Sequence, residues 1–340
     1  MRQHILAAYC AHNSISRLSN ETVKNLDIIY YAFASVIDKD IVIRYPEDMA
    51  LIQNVKKDNP NLRIILCVGG GGCAAKMSEA VEDNESFLRL IDRMVEEMIK
   101  YGFDGIDLDW EYPTMTGRPE ERQLHTEMLR ILREKLDSMD RKYYLSVAVP
   151  DSEWTFRITE LDESQKYLDY INVMTYDMNR RDCTSHHSAP YSADDTKYAS
   201  ALGAVKRYKK HNVPNEKIII GGAFYSKKWS DINSDDNGLN VPVDQPIAYG
   251  PCFTDLKENY IDKNGYKKFW DDKAKAPFLY NGKEFITYED EESLGHKCDI
   301  VVNENIYGIM VWEFSGDREQ YLLPFMRKRL DVLASAKCNL

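Results

Sequence analysis

The fold is decided by one stretch of sequence, which reads Phe103-Asp104-Gly105-Ile106-Asp107-Leu108-Asp109-Trp110-Glu111-Tyr112-Pro113. Successive side chains of a β-strand point to opposite faces, so Asp107, Asp109 and Glu111 share one face and the apolar residues between them share the other. In a parallel barrel the apolar face packs against helices. The three carboxylates are therefore expected to point into the barrel, with Glu111 nearest the C-terminal mouth, where barrel active sites lie.

Short apolar runs alternate with amphipathic helical patterns along nearly the whole chain. Eight strands are predicted, at Ile5–Tyr9, Ile28–Ala34, Arg63–Val68, Gly105–Trp110, Tyr144–Ala148, Tyr170–Met174, Lys217–Gly221 and Gly308–Trp312. Eight strand–helix repeats with mostly apolar strands predict an α/β fold, a closed (β/α)8 TIM barrel. The alternative is a doubly wound open sheet, but no G-x-G-x-x-G motif follows the first strand.

Three helices stand out between these strands. The clearest follows Asp83-Asn84, which can cap it, ends at Gly102, and carries one apolar face formed by Phe87, Leu90, Ile91, Met94, Val95 and Met98. Two further helices are predicted at Glu120–Ser138 and Tyr321–Leu333. The last of them is expected to close the ring around the barrel.

The connection between the seventh and eighth strands is unusually long, at about 85 residues where an ordinary barrel repeat takes roughly 30. The excess falls within residues 230–303 and is rich in aromatic residues, which favours a folded α+β insertion over a disordered loop. Its segment Phe278–Tyr288, with Asn281-Gly282 inside it, predicts a hairpin with a tight turn. Residues 1–229 and 304–340 are then the barrel domain.

The composition bounds the partners of this 340-residue chain. Its formal net charge of −11 argues against a nucleic-acid partner, and no apolar run approaches the roughly 18 residues of a membrane span. Seven cysteines without a C-x-x-C pair indicate reduced thiols and a cytoplasmic setting. The alternative is a secreted protein whose signal peptide is absent from this sequence. We expect a monomer that needs no cofactor and no metal.

The crowding of three inward carboxylates predicts a chemical role. Mutual repulsion and burial lead at least one of them to hold a proton at neutral pH, and a protonated carboxyl beside an ionised one suits general acid catalysis on an acetal oxygen. Two alternatives are a solvated acidic face and a divalent-metal site. The regular alternation with Ile106, Leu108 and Trp110 disfavours the first, and the absence of a nearby histidine disfavours the second.

The spacing Asp104-x-x-Asp107-x-Asp109-x-Glu111 matches the D-x-x-D-x-D-x-E signature, and the chain resembles glycoside hydrolase family 18, the chitinase family. Supporting motifs follow in order: Tyr31-Ala32-Phe33-Ala34, Cys67-Val68-Gly69-Gly70, Met174-Thr175-Tyr176-Asp177, Gly222-Ala223-Phe224-Tyr225 and Trp312. Two departures are visible. Cys67 stands where the family has a serine, and Gly71 stands where it often has a tryptophan, which favours a shorter substrate.

The resemblance implies four catalytic roles. Glu111 is the acid/base, and Asp109 orients the substrate's acetamido group and stabilises the cationic intermediate. Asp107 is the hydrogen-bond partner of Asp109, and Tyr176 donates to the acetamido oxygen. Asp104, which has the opposite parity on the strand, is expected to be structural.

The resemblance also implies a sugar-binding set, which consists of Met174, Asp177, Trp312, Tyr225, Tyr9 and Phe33. Trp312 is expected to form the floor of the sugar site. From its position just after Phe224-Tyr225, Trp229 is also expected to line the site.

The implied activity is the retaining, substrate-assisted hydrolysis of β-1,4-linked N-acetylglucosamine glycans, which are chitin or chito-oligosaccharides. Two alternatives stay open: an endo-β-N-acetylglucosaminidase or peptidoglycan hydrolase, and an inactive chitin-binding lectin on the same fold.

Overall fold

The computed structural model describes residues 2–192 and 199–338, and its main feature is a closed parallel barrel. Its strands, numbered with all others in chain order, are β1 (Ile5–Ala11), β2 (Ile28–Ile37), β4 (Arg63–Gly70), β5 (Gly105–Trp110), β6 (Tyr144–Pro150), β7 (Tyr170–Met174), β8 (Ile218–Ala223) and β14 (Gly308–Trp312). Strand β1 pairs in parallel with both β2 and β14, which closes the barrel. A short strand, β3 (Asp40–Ile43), pairs antiparallel with β2. The predicted TIM barrel is confirmed.

Helices cover the outside of the barrel. They are α1 (His12–Ile15), α2 (Asn20–Val23), α3 (Asp48–Asp58), α4 (Ala74–Ala80), α5 (Asn84–Tyr101), α6 (Glu121–Asp137), α7 (Thr155–Ile158), α8 (Leu161–Ser164), α9 (Ala201–Lys210), α10 (Phe253–Asn259), α11 (Glu291–Asn303) and α12 (Leu322–Cys338). Helix α5 begins as predicted, because the Asp83 side chain accepts from the Ser86 backbone N–H at 2.9 Å. It ends at Gly102, whose φ of +72° is in the left-handed region.

The parity predicted for β5 is confirmed. Ile106, Leu108 and Trp110 are buried in the cluster between strands and helices, whereas Asp107 and Asp109 face the barrel interior. Asp104, at the other end of the strand, accepts hydrogen bonds from the Ile64 backbone N–H at 2.9 Å and from Arg141 at 3.3 Å, and it also binds Lys56. These contacts give Asp104 a structural role far from the mouth.

The insertion is a five-stranded antiparallel sheet in the order β10-β9-β13-β12-β11. Its strands are β9 (Tyr225–Trp229), β10 (Ala248–Cys252), β11 (Lys267–Asp271), β12 (Ala276–Tyr280) and β13 (Phe285–Thr287). The hairpin predicted within residues 278–288 is present as β12 and β13, with its turn at Asn281-Gly282. Tyr280 pairs with Phe285 across a four-residue loop, and the Asn281 side chain accepts from the backbone N–H of Lys283 and Glu284 at 2.9 and 2.7 Å.

One sequence expectation for this region is wrong. Trp229 is only 2% exposed and packs with Phe278 and Phe285 inside the insertion, so it cannot line a sugar site.

The predicted limits of the insertion, residues 230–303, stay a prediction, and the arrangement of elements suggests different ones. The antiparallel sheet begins at Tyr225, and α11 packs against α12 and β14 of the barrel. We therefore propose that the insertion covers residues 225–287 and that α11 belongs to the barrel. No helix within residues 2–192 and 199–338 is long and apolar enough to cross a membrane.

Candidate active site

Asp107 lies at the centre of the barrel and is completely buried. Its carboxylate accepts four hydrogen bonds, which come from Tyr9 Oη at 2.9 Å, Cys67 Sγ at 3.1 Å, Ser146 Oγ at 2.5 Å and Asn172 Nδ2 at 3.1 Å. Burial raises the pKa of Asp107, and these hydrogen bonds oppose that rise. The carboxylate is therefore fixed in one orientation.

Cys67 does hold Asp107, although a thiol is a weaker donor than the serine hydroxyl that the family carries. Ser146 and Asn172, which sequence reasoning missed, supply the stronger donors. The signal that could have revealed them is a polar residue on the inward face of an otherwise apolar strand: Ser146 in β6 and Asn172 in β7 are both completely buried.

Asp109 lies one step nearer the mouth and is only 4% exposed, yet its Oδ1 atom is buried without a hydrogen-bond partner among the described residues. Burial raises the pKa of Asp109 well above its ordinary value, and the nearby charges of Glu111 and Asp107 raise it further. An unpaired buried acceptor is costly, so this atom is prepared to accept an N–H group from a ligand.

Glu111 follows the last residue of β5 and is partly exposed at the mouth. Burial raises the pKa of its carboxyl, a hydrogen bond from Tyr112 lowers it, and the negative charge of Asp177 raises it. The Glu111 backbone N–H also donates to Cys73 Sγ at 3.3 Å. A carboxyl with a raised pKa at the rim of a cleft suits a proton donor.

Tyr176 follows β7, and its ring lies against the backbone of Gly221 in β8. A Cβ atom at Gly221 would lie 2.6 Å from this ring, so only glycine leaves room for it. Burial raises the pKa of the Tyr176 hydroxyl well above its ordinary value, and the charges of Asp109 and Glu111 raise it further. The hydroxyl therefore keeps its proton and is available as a donor.

Asp177 has a φ of +57°, and three side chains lie close to its carboxylate. The Lys227 ammonium lies 2.9 Å from its Oδ1, the Tyr225 hydroxyl donates to the same oxygen, and His187 Nδ1 is 3.7 Å away. Burial acts to raise the pKa of Asp177, but the contacts with His187, Tyr225 and Lys227 outweigh it and hold the pKa at about 2. Asp177 is therefore ionised at neutral pH.

Two aromatic rings of the predicted sugar-binding set lie against each other. Trp312 and Phe33 are both partly exposed, and their ring centroids lie 5.5 Å apart. Met174 is 8% exposed beside them in the interior cluster. The geometry corrects the expectation for Tyr9, which is 1% exposed and stacked on Tyr30, with no ring face open to a sugar. Tyr9 instead holds Asp107 through its hydroxyl.

Two aromatic pairs lie near the acids. Tyr225 belongs to the predicted sugar-binding set, whereas Tyr112 and Tyr249 were not identified from the sequence. On one side Tyr112 meets Trp154, with centroids 4.9 Å apart. On the other side the insertion contributes Tyr249, which is 70% exposed and lies 5.7 Å from the Tyr225 ring, with Lys227 Nζ 4.7 Å from the Tyr249 centroid. Lys227 contacts both Asp177 and the Tyr249 ring, so the insertion lies beside this acid. Burial raises the pKa of the Tyr249 hydroxyl, and the charges of Asp177 and Glu111 raise it further.

The arrangement combines a carboxyl with a raised pKa, a buried carboxyl whose Oδ1 has no hydrogen-bond partner among the described residues, a protonated tyrosine and two adjoining aromatic rings. These groups suit the cleavage of a glycosidic bond in a sugar that carries an amide substituent.

The comparisons with known proteins agree with this chemistry. Residues 5–317 match the family model described as glycosyl hydrolases family 18. The chain is 35% identical over 301 residues to Chitinase A1 of Niallia circulans, covering 80% of this chain and 43% of that protein. It is 28% identical over 279 residues to Endochitinase 1 of Metarhizium robertsii, covering 78% of this chain and 64% of that protein. The chain thus spans less than two thirds of either relative.

One solved structure is similar over nearly the whole of both chains. It is that of a glycoside hydrolase family 18 N-acetylglucosaminidase from Paenibacillus barengoltzii, with a TM-score of 0.91 and 35% identity, covering 96% of this chain and 100% of that chain.

Proposed function

The chain belongs to glycosyl hydrolase family 18, and from that premise we propose that it hydrolyses β-1,4-linked N-acetylglucosamine glycans by a retaining, substrate-assisted mechanism. The observation that carries this proposal is the buried Oδ1 of Asp109, between Asp107 and Glu111, which has no hydrogen-bond partner within residues 2–192 and 199–338. An acetamido N–H is the group that satisfies it, and holding that group aims the acetamido oxygen at the anomeric carbon.

The reaction proceeds in two displacements at one carbon. In the first, Glu111 gives its proton to the glycosidic oxygen, the bond to the leaving sugar breaks, and the acetamido oxygen bonds to the anomeric carbon. Asp109 accepts from the amide N–H and balances the positive charge of the oxazolinium ring, while Tyr176 donates to the acetamido oxygen. In the second, water adds to the anomeric carbon and gives a proton to Glu111, and the ring opens. The rate of the first displacement is raised because the nucleophile is part of the substrate and has a large effective concentration.

We propose that short chito-oligosaccharides are the preferred substrates. Gly71 has no side chain beside Glu111, since a Cβ atom at this position would lie 3.8 Å from the Glu111 Oε1 atom. Position 71 therefore offers no aromatic ring on which a sugar of a longer chain could stack. The similarity to an N-acetylglucosaminidase, which covers 96% of this chain and 100% of that chain, supports this assignment.

Product analysis tests the proposal. Chito-oligosaccharides of two to six sugars and a high-mannose glycopeptide are each incubated with the protein, and the products are separated by mass. Release of N-acetylglucosamine or its dimer from the oligosaccharides, with the glycopeptide intact, is expected. Cleavage of the glycopeptide or of a peptidoglycan fragment alone would favour the endo-acting alternatives, and binding without turnover would favour the lectin.

We further propose a cytoplasmic monomer without nucleic-acid or membrane partners. The described cysteines support it, since Cys10, Cys67, Cys73, Cys183, Cys252 and Cys298 are all free, while the side chain of Cys338 lies outside the described part. All seven are expected to titrate as thiols in denaturant, and sedimentation is expected to give the mass of one chain. Three disulfides would contradict the cytoplasmic assignment.

A further inference from the structure

A completely buried lysine lies behind the active site, and the chemistry described above does not use it. Lys297 of α11 is 0% exposed. Its ammonium donates to the carbonyl oxygens of Thr175 and Gly221 at 3.0 and 2.7 Å, to Ser188 Oγ at 2.8 Å and to Glu289 Oε2 at 3.1 Å. Glu289 is equally buried.

This network joins four separate segments at the mouth. The Glu289 Oε2 atom also accepts from Ser188 Oγ and from the Ala223 backbone N–H, both at 2.7 Å. The pair therefore ties the end of β7 and the end of β8 to the loop at Ser188 and to the segment that leaves the insertion. Burying two charges costs several kcal/mol for each ion, and replacing such a pair by apolar groups is often neutral for stability. Stability alone is therefore a weak reason for its presence.

The network's contacts lead directly to Tyr176. Thr175 precedes it in the chain, and Thr175 Oγ1 both donates to the Gly221 carbonyl at 2.7 Å and accepts from the Gly221 N–H at 2.8 Å. The Tyr176 ring lies against Gly221. Lys297 thus binds the peptide before Tyr176 and the peptide on which its ring rests.

We propose that Lys297 and Glu289 form a positioning pair for the reaction, which acts by fixing the hydroxyl of Tyr176 at the substrate's acetamido oxygen. This inference rests on the role that the proposed function gives to Tyr176. Neither member of the pair touches substrate. The pair fixes the distance between the ends of β7 and β8, where the Tyr176 ring lies. A misplacement of about 1 Å at a reacting group can lower the rate about a hundredfold.

A double-mutant cycle tests this role. The pair is removed as Lys297→Met with Glu289→Gln. Residue 289 can still accept hydrogen bonds from Ser188 and Ala223. The carbonyl oxygens of Thr175 and Gly221 each keep one other donor. We expect kcat to fall about tenfold to a hundredfold, with KM changed less than about threefold. In a Tyr176→Phe background the same removal is expected to lower kcat by less than about threefold, because the group it positions is already absent.

A matched control separates positioning from general destabilisation. Arg327 and Asp27 form another largely buried ion pair, with Nη1 and Oδ2 3.2 Å apart, and Asp27 also accepts from the Leu6 N–H at the opposite end of the barrel. Arg327→Met with Asp27→Asn is expected to lower the melting temperature while leaving kcat unchanged. If the Lys297 variant does not fold, Ser188→Ala, which removes one member of the network, gives the same cycle with a smaller loss of kcat, about threefold to tenfold.

The outcomes are distinguishable. Equal losses of kcat with and without Tyr176 would overturn positioning through this residue, and an unchanged kcat in the pair variant would make the pair purely structural. If Tyr176→Phe alone leaves kcat unchanged, the proposed mechanism itself is wrong in its use of Tyr176, whatever the pair does.

Discussion

The three inward carboxylates of β5 have the same chemistry and different surroundings. Asp107 accepts four hydrogen bonds and is fixed. Asp109 has a buried oxygen that no described residue contacts by a hydrogen bond, and Glu111 is partly exposed at the mouth. The first environment favours a support, the second an acceptor for an amide, and the third a proton donor. Assigning roles by environment is more secure here than assigning them by residue type, since pKa values that differ between neighbouring acids separate acid from base.

Glu111→Gln removes the proton donor and keeps the shape of the side chain. We expect kcat to fall by about 10²–10⁴-fold, the usual contribution of a general acid, while oligosaccharide affinity and melting temperature change little. The kcat is measured on a chito-oligosaccharide, and the affinity is measured by calorimetry with the N-acetylglucosamine trimer. Glu79→Gln, an exposed glutamate on α4, is the control and is expected to behave as the unaltered protein. Near-normal turnover of Glu111→Gln would exclude this assignment.

Asp109→Asn is expected to stabilise the fold at neutral pH while lowering turnover. The folded-state pKa of Asp109 is raised, first by burial and then by Glu111 and Asp107. The folded state therefore binds more protons than the unfolded state in the window above the unfolded pKa, and stability falls as pH rises there. The amide has no such cost, so the gain in melting temperature should be larger at pH 8 than at pH 4. Asp272→Asn, which is highly exposed, should show no such difference.

At the scale of the elements, the local patterns predicted much and the long-range contacts little. Strands β5, β7 and β14 have their predicted limits, because alternation and apolar runs are local properties. The hairpin between β12 and β13 is also present where the Asn281-Gly282 pair predicts it, because turn chemistry is another local property. The donors to Asp107 and the Lys297–Glu289 network could not be read from the sequence, since they join segments that only the closed barrel brings together.

Tyr249→Ala tests the insertion as a wall of the cleft. Tyr249 lies on β10, is 70% exposed, and contacts Lys227, which in turn pairs with Asp177. Loss of a stacking ring is expected to raise KM for a hexasaccharide about tenfold, and to raise KM much less for a disaccharide aryl glycoside, with kcat nearly unchanged. Tyr321→Ala, another exposed tyrosine, which packs with Phe253, is the control. Equal effects on both substrates would contradict a wall that contacts the more distant sugars.

At the scale of the whole molecule, the barrel supplies what no single element can. The acids come from β5, and the donors that hold Asp107 come from β1, β4, β6 and β7. Tyr176 follows β7, and the rings of Phe33 and Trp312 come from β2 and β14. Parallel strands deliver all of these residues to one end. This convergence, together with the signature on β5, is why the fold and the inward placement of the β5 acids could be predicted from sequence while the supporting contacts could not. The catalytic roles of these acids stay a prediction.

The mechanism makes a prediction about the substrate itself. If the acetamido oxygen is the nucleophile, cellulose-type substrates and fully de-acetylated chitosan should not be cleaved, since neither can form the oxazolinium ring. Two displacements at one carbon retain the anomeric configuration. A non-hydrolysable thiazoline mimic of the ring should bind at least a hundredfold more tightly than the parent sugar. Proton NMR of the first turnover reads the anomer directly. An inverted first product, or appreciable cleavage of a glucose-only polymer, would require an enzyme nucleophile instead.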